Sequence, residues 1–578
     1  MKNISYGISN FERIKTENYY FIDKTNYIEI LESYGSPYLF FLRPRRFGKS
    51  MLVSMLGYYY DIAQKEQFET LFGDTYIGKN PTARKNSYPI LHFNFSMIQT
   101  FGSLKDIQNS FVNYIYTEIE SFIEKYQLIF NLSNEAITEL KQIENKLDIV
   151  RSLFLKLRNI KIPAFLIIDE YDSFANNILA EQGSSAYELI THSGGFLRNF
   201  FTIIKGLTDN KEIDRLFITG VSPLVMADVT SGFNIGDNIS QDLQLSSMVG
   251  VSHSEALQML NYYQSFGVFT KSNDFIINDF NTWYNGYAFN PKIEKVYNTT
   301  SILYFINQNI KNKEMPISLI DENLRTDYGK FRFLLTENNR HNGNFSVLRE
   351  IVDKNQVTAN FIRSFALNEI IEKQRFVSLL FYLGFLSFKD SSPLGTYTYT
   401  IPNKLVSTLL WEFIQKSLND VYTLRIDNYF LSNAFKDMAT LGTWQPAFEY
   451  IMNKFYQAVS VRDFVFHEEG VKMFILSWLN MAVYYKVYSE REIEKGFADI
   501  FIEPERRYGN EIKFGYIIEL KYIKAELLKS KTKTQLAINE AIESAKLQLE
   551  NYSDFEEYQT IKIILVASAK KLLHLSCL

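Results

Sequence analysis

The string Arg43-Pro44-Arg45-Arg46-Phe47-Gly48-Lys49-Ser50 holds the residue types needed to grip a chain of phosphates. Backbone N–H groups near Gly48, at the start of a helix, would face the anion with help from the helix dipole. Lys49 would reach the β- and γ-phosphates and the Ser50 hydroxyl would hold Mg²⁺, with Arg45, Arg46 and Phe47 completing the loop. The general pattern begins with glycine, and this chain has Arg43 there. A second string, Asp499 followed by Glu519-Leu520-Lys521, suits a different reaction. Two neighbouring carboxylates bind a hard cation through oxygen. A lysine beside them helps to activate water and to stabilise charge on a scissile phosphodiester.

These residues need particular elements to hold them. Residues 38–42 (YLFFL), bounded by Gly35-Ser36-Pro37, read as a buried strand, and 51–60 read as a helix, so Gly48-Lys49-Ser50 falls at a strand-to-helix junction. Residues 164–168 (AFLII) predict a second buried strand running into Asp169-Glu170-Tyr171-Asp172. This is the Walker B arrangement, with Asp169 on Mg²⁺ through water and Glu170 polarising the attacking water. Residues 215–221 predict a third strand, ending at Thr219-Gly220. Thr219 is the first candidate for a γ-phosphate sensor and Ser222 the second, with an ordinary strand-end hydroxyl as the alternative. Arg198 is either a trans-acting arginine finger or a surface arginine.

The C-terminal string makes its own demands. Residues 497–502 and 516–522 predict strands joined by a polar turn over 504–509. Side chains alternate along a strand, so Glu519 and Lys521 share one face while Ile518, Leu520 and Tyr522 take the other. A hairpin would bring Asp499 beside Glu519. Upstream, His467-Glu468-Glu469-Gly470 opens an apolar helix, from which Glu469 or Glu468 could supply a third acid. Downstream, 541–552 predicts a helix with Gln548 and Tyr552 on one face.

The string RPRRFGKS resembles the AAA-ATPase-like family often fused to a PD-(D/E)XK nuclease-superfamily domain. Supporting strings are 20–25 (YFIDKT), 88–96 (YPILHFNFS), 217–222 (FITGVS), 283–287 (WYNGY) and Tyr297-Asn298. In that family Arg43 is ordinary. The spacing Gln548-x-x-x-Tyr552 resembles the superfamily's fourth motif. Many relatives read Gly-Arg-x-Asp where this chain has Gly496-Phe497-Ala498-Asp499. The resemblance implies ATP and Mg²⁺ as cofactors and a bacterial role in genome maintenance, mobile-element biology or phage defence.

Composition narrows the classes. The 578 residues can bury several cores. One cysteine, Cys577, excludes a disulfide framework, and six scattered histidines show no metal-ligand spacing. The opening MKNISYGISN lacks a secretory apolar core, and no run is long enough to span a bilayer, so a cytoplasmic protein without membrane attachment is expected. Net charge −4 does not advertise nucleic-acid binding, which would need a local basic face. Lys521, Lys524, Lys529, Lys531 and Lys533 could form one, or be a solvated helix end.

The expected fold is α/β multidomain. It comprises a P-loop ATPase of AAA+-like type over 1–245, and a helical lid and linker over 246–345. A helical, winged-helix-like middle region follows over 346–450, and a restriction-endonuclease-like nuclease domain over 451–578. Polar segments 311–344 and 419–444 read as linkers, and 474–485 as a buried helix. Function is expected to be an ATP-binding, ATP-hydrolysing switch coupled to a metal-dependent nuclease acting on DNA, with homo-oligomerisation open. The alternative is an ATP-dependent module that binds nucleic acid or protein through a non-cleaving nuclease fold.

Overall fold

The computed structural model describes residues 1–143, 146–229, 234–316, 318–324, 336–337, 340–341, 343–392, 395–459, 468–493, 496–555 and 557–578. The chain divides into two compact units, one formed by 1–331 with 358–405 and the other by 332–357 with 406–578.

The first unit is built on a five-stranded parallel sheet in the order β2-β3-β4-β1-β5. Its strands are β1 (Tyr38–Leu42), β2 (Ile90–Asn94), β3 (Ala164–Asp169), β4 (Ile213–Gly220) and β5 (Asp237–Asn238). A parallel sheet is covered on both faces, which is why β3 is apolar and buried throughout and β4 nearly so. The two acids and the hydroxyl therefore appear only where β3 and β4 end. Helix α1 (Lys49–Tyr60) follows β1, α2 (Ser173–Gln182) follows β3, and α3 (Thr299–Asn312) comes later in the same unit.

Within the first unit, Gly286 has φ +99, and a Cβ there would lie 2.0 Å from the Pro402 carbonyl oxygen. The Asn403 amide donates to the carbonyl of Asn285, closing the same turn. A glycine is required by both backbone and space. Nearby, β6 (Ser387–Ser391) and β7 (Tyr397–Thr400) pair antiparallel.

In the second unit, α4 (Gly343–Lys354), α5 (Glu468–Leu479) and α6 (Lys531–Glu550) accompany a mixed sheet. Its strands are β8 (Tyr485–Ile493), β9 (Gly496–Pro504), β10 (Phe514–Ile523), β11 (Gln559–Ser568) and β12 (Leu572–Cys577), in that order. Only β10 and β11 run parallel. Ala545, Leu549 and Tyr552 pack on Ala498, Phe501, Ile517 and Ile564, giving the core beneath the acidic strands.

Two expectations are corrected. Residues 419–444 are no linker, because Leu431, Ala434, Phe435, Met438 and Ala439 recur at helical spacing and are buried in the helix Asn428–Leu441. The apolar run 474–485 splits in two. The helix stops at Leu479, where the Asn480 amide turns back to the Leu476 carbonyl, and Tyr485 opens β8. The segment 311–344 lies partly outside the described residues, as does His467. Among the described residues, no helix is long and apolar enough to cross a membrane.

Gly286→Ala should destabilise the first unit by at least about 2 kcal/mol, since strain and overlap act together. A denaturant melt showing an unchanged midpoint would contradict this account of the turn.

Candidate functional site

Gly48 takes φ 97 and is the N-cap of α1, with no side-chain cap over the first-turn N–H groups. Those donors are left to an anion. Arg46 also lies in the left-handed region, at φ 70. The loop is held from outside by the start of α3. The Asn298 amide donates to the Arg45 carbonyl, Thr300 to that of Arg46 through both backbone N–H and hydroxyl, and the Thr299 hydroxyl to that of Phe47. Gly250 N–H also donates to the Phe47 carbonyl, at 3.0 Å. The Phe47 ring is buried edge-on against Tyr287 and Phe289, so the side chain is an anchor and only its backbone is available to a ligand.

Arg43 explains its own departure from the general pattern. Its backbone is not left-handed, so glycine is not needed. The guanidinium is buried between the Phe41 and Phe289 rings, 4.4 and 4.1 Å from their centroids, and donates to the carbonyls of Leu42 and Ser240. It is turned away from the phosphate side.

A cavity of about 490 Å³ opens beside the loop, lined by Arg45, Arg46, Gly48, Lys49, Ser50 and Glu170 together with apolar side chains such as Ile22, Met248, Val251 and Met259. A lining that mixes charged and apolar groups suits a ligand that has both kinds of surface. Lys49 donates to the carbonyls of Arg43 and Pro44 at 3.0 Å each. Burial pushes its ammonium down from the ordinary lysine value, against the pull of Glu170 and Asp169.

The Ser50 hydroxyl bonds the Asp169 carboxylate, whose pKa is pushed up to about 6 by burial first and by Glu170 second. A hydroxyl and a buried carboxylate lacking a full counter-charge make a donor set that fits a hard divalent ion. Glu170 follows with φ 52, a strained backbone for a non-glycine, and its N–H donates to Asp169 Oδ1.

Thr219 is fully buried, its hydroxyl has no partner among the described residues, and it does not line the cavity. Nor does Ser222, whose hydroxyl is held by Asp172. Arg198 is half-buried on the helix Phe196–Asp209 and also lies off the cavity lining. The clamp at 298–300 escaped the sequence reading, although an Asn followed by two Thr is a helix-start signal.

In the second unit, Ile500 pairs antiparallel with Ile518, which puts Asp499 across from Glu519. Leu520 N–H donates to Asp499 Oδ2 at 2.8 Å, and Lys521 Nζ lies 3.3 Å from Glu519 Oε2. Glu519 is fully buried, and burial first and Asp499 second push its carboxyl above the ordinary 4.5, with Lys521 opposing. Two acids crowded in this way fit a shared hard cation. Among the described residues no group of three or more His, Cys, Asp or Glu could hold a metal, so the cation would rest on this pair.

The helix acid turned toward the pair is Glu468. It keeps an exposed edge, yet loss of water and then the Asp499 charge raise its carboxyl, while Lys521 opposes. Glu469, one residue on, lines a separate cavity with Asp353, Trp411 and Met473. The expected helix over 541–552 ends at Glu550, so Tyr552 lies just beyond α6 and not on its face. The Tyr552 hydroxyl lies 3.1 Å from Glu519 Oε1 and 2.8 Å from the Phe497 carbonyl, whereas Gln548 Oε1 is buried and finds no partner among the described residues.

A raised carboxyl pKa means that the folded state binds the proton more tightly than the unfolded chain does. The stability that Glu519 contributes is then present below its unfolded value of 4.5 and lost as pH climbs above it. In metal-free protein, Glu519→Gln should flatten that decline and leave the variant more stable than the parent near about pH 8. Parallel stability-against-pH curves for the two proteins would show that another group titrates.

Two stretches of the chain match known protein families. Residues 5–230 match the model of a family described as predicted AAA-ATPase, and residues 466–573 match that of the PD-(D/E)XK nuclease superfamily. An uncharacterized protein from the 5′ region of vnfD in Azotobacter chroococcum mcd 1 is 24% identical over 318 residues, 52% of this chain and 51% of its own length. The chain thus spans about half the length of that curated relative. Among solved structures, the Walker-type ATPase of Pyrococcus abyssi is 14% identical with a TM-score of 0.38, the match covering 67% of this chain and 94% of that one.

Proposed function

We propose that this chain, an AAA-ATPase-like domain followed by a PD-(D/E)XK nuclease-superfamily domain, is an ATP-hydrolysing switch that governs cleavage of DNA phosphodiesters. The observation that carries the reading is the cross-strand pair Asp499 and Glu519, with Lys521 on the same face of β10. That arrangement has little structural use. It sets the half-buried Asp499 beside the fully buried Glu519, a like-charge pair that a plain core would avoid.

At the nucleotide site, the first-turn N–H groups of α1 with Lys49 bind and orient the triphosphate, while Ser50 and Asp169 would hold Mg²⁺. Glu170 orients a water for attack on the γ-phosphorus, and the bond to the β,γ-bridging oxygen breaks to release ADP and phosphate. At the second site, Asp499 and Glu519 would hold the cation, and Lys521 stabilises charge on the phosphate under attack by water. Bound Mg²⁺ supplies charge neutralisation on the phosphate oxygens at both sites. The lysines 524, 529, 531 and 533, around the start of α6, give a DNA backbone a basic track. A bacterial, cytoplasmic role in phage defence or mobile-element biology accords with this chemistry.

One observation favours the non-cleaving alternative. Phe497 stands where many relatives have arginine, and it is exposed. A stacking surface in place of a phosphate contact suits retention of nucleic acid more than its cutting.

Purified protein should cut mixed single- and double-stranded DNA with Mg²⁺ or Mn²⁺, and Asp499→Ala should lower the rate by about a hundredfold or more. Lys49→Ala should bind ATP weakly and abolish the response of cleavage to nucleotide. Nucleotide-dependent DNA retention that survives Asp499→Ala, with no cleavage by the parent, would favour the binding module.

A further inference from the structure

We propose that Asp172 is a positioning residue for ATP hydrolysis, fixing Glu170 against the phosphate loop by bolting the tip of β3 to the tip of β4. The inference rests on the reading of Glu170 as the acid that orients water.

Asp172 is the N-cap of α2 by position, and an aspartate there ordinarily accepts from the helix's own first-turn N–H groups. It makes no such bond. Its carboxylate reaches across to β4 instead. Oδ1 accepts from Val221 N–H at 3.1 Å, and Oδ2 accepts from Ser222 N–H at 2.8 Å and from the Ser222 hydroxyl at 3.2 Å. A fourth bond comes from the Asn176 amide at 3.0 Å. The group is 1% exposed and does not line the phosphate cavity, so it touches no ligand itself.

Tyr171 makes the same joint from the neighbouring position. Its N–H donates to the Thr219 carbonyl at 3.1 Å, its hydroxyl donates to the Ser222 carbonyl, and its ring stands edge-on to Phe40 of β1. The fit is close. A Cβ on Gly220 would lie 2.4 Å from Tyr171 Cδ1 and 2.5 Å from Asp172 Oδ1. Glu170, at φ 52, is therefore held between Asp169 Oδ1, which accepts its N–H, and two residues clipped to β4. Its left-handed backbone is a conformation that non-glycine residues keep only when the surroundings over-determine it. The four bonds to Asp172 are what the chain supplies for that purpose, and they aim Glu170 into the cavity that holds Lys49 and Ser50.

The test is ATP turnover by full-length Asp172→Asn. An asparagine must turn its NH₂ toward at least one of the four donors, so the joint loosens while the shape is kept. We expect kcat to fall by at least about tenfold with KM unchanged within about threefold, and the thermal shift given by ADP to persist. In a Glu170→Gln background the same substitution should cost almost nothing further, because both act through one residue. Asn176→Ala, which removes a single donor, should lower kcat in the same sense by less, and it provides the reading should Asp172→Asn fail to fold. Equal losses with and without Glu170, or a risen KM at unchanged kcat, would overturn the positioning role alone. No ATP turnover by the parent protein would overturn the hydrolytic reading and the positioning role with it.

Discussion

A carboxylate removed from water must find a positive charge or keep its proton, and both halves of this chain are arranged around that constraint. In the first unit, β3 ends in Asp169 with Glu170 next to it, and Asp169 is pushed up to about 6. In the second, the antiparallel register of β9 and β10 sets Asp499 across from the fully buried Glu519. Each acid pair has one lysine near it, Lys49 or Lys521, and neither lysine satisfies the pair. A like-charge pair with one member buried is a costly thing to keep for stability alone. A divalent cation would relieve both. Two unrelated sheets thus arrive at the same electrostatic condition by different means, a strand end in one and a cross-strand register in the other.

The phosphate loop answers a second demand, the opposite of the first. An anion-binding loop needs its N–H groups free and its carbonyls occupied. Here the carbonyls of Arg45, Arg46 and Phe47 are taken by Asn298, Thr300 and Thr299 with Gly250, while Lys49 takes those of Arg43 and Pro44. With so much holding the loop from outside, its first residue need not be glycine. The position is free to hold a buried arginine that joins β1 to the aromatic cluster at Phe289.

Those two demands explain how far residue types alone could be read. Strands β1, β3, β4, β9 and β10 were legible because buried strands are apolar to their last turn and chemistry begins where they stop. The shared face of Glu519 and Lys521 followed from the two-residue period. Other features were not legible, for definite reasons. Glu468 and Glu469 are consecutive on a helix, about 100° apart, and sequence does not say which is turned toward β9. Gln548 lies on α6 and Tyr552 just beyond it, and a long phenol reaches Glu519 where an amide four residues earlier does not. The clamp at 298–300 acts on a loop some two hundred and fifty positions earlier, a separation no local pattern reports. The helix Asn428–Leu441 looked like a linker because polar residues such as Asn428, Ser432, Asn433 and Lys436 punctuate it, while its five buried residues recur at a regular helical spacing.

The path of the chain bears on what the nuclease-like part requires. Residues 332–357 belong to the second unit, although the chain then returns to the first before entering the second again at 406. The excursion is functional in a structural sense. Asp353, near the end of α4, pairs with Lys472 of α5 at 3.1 Å and accepts from the Ser489 hydroxyl of β8 at 2.9 Å. Lys472 is nearly buried, its second carboxylate partner is Glu490, and it stands one helical turn after Glu468. A fragment starting after residue 405 would keep Asp499, Glu519, Lys521 and Glu468 and yet lose Asp353. Lys472 would then hold its buried charge against Glu490 alone, on the helix that carries Glu468 toward Asp499. Breaking one partner of a buried ion pair costs more than the pair contributes. The helix that carries Glu468 and the strand β8 are therefore both held by a helix from the middle of the chain.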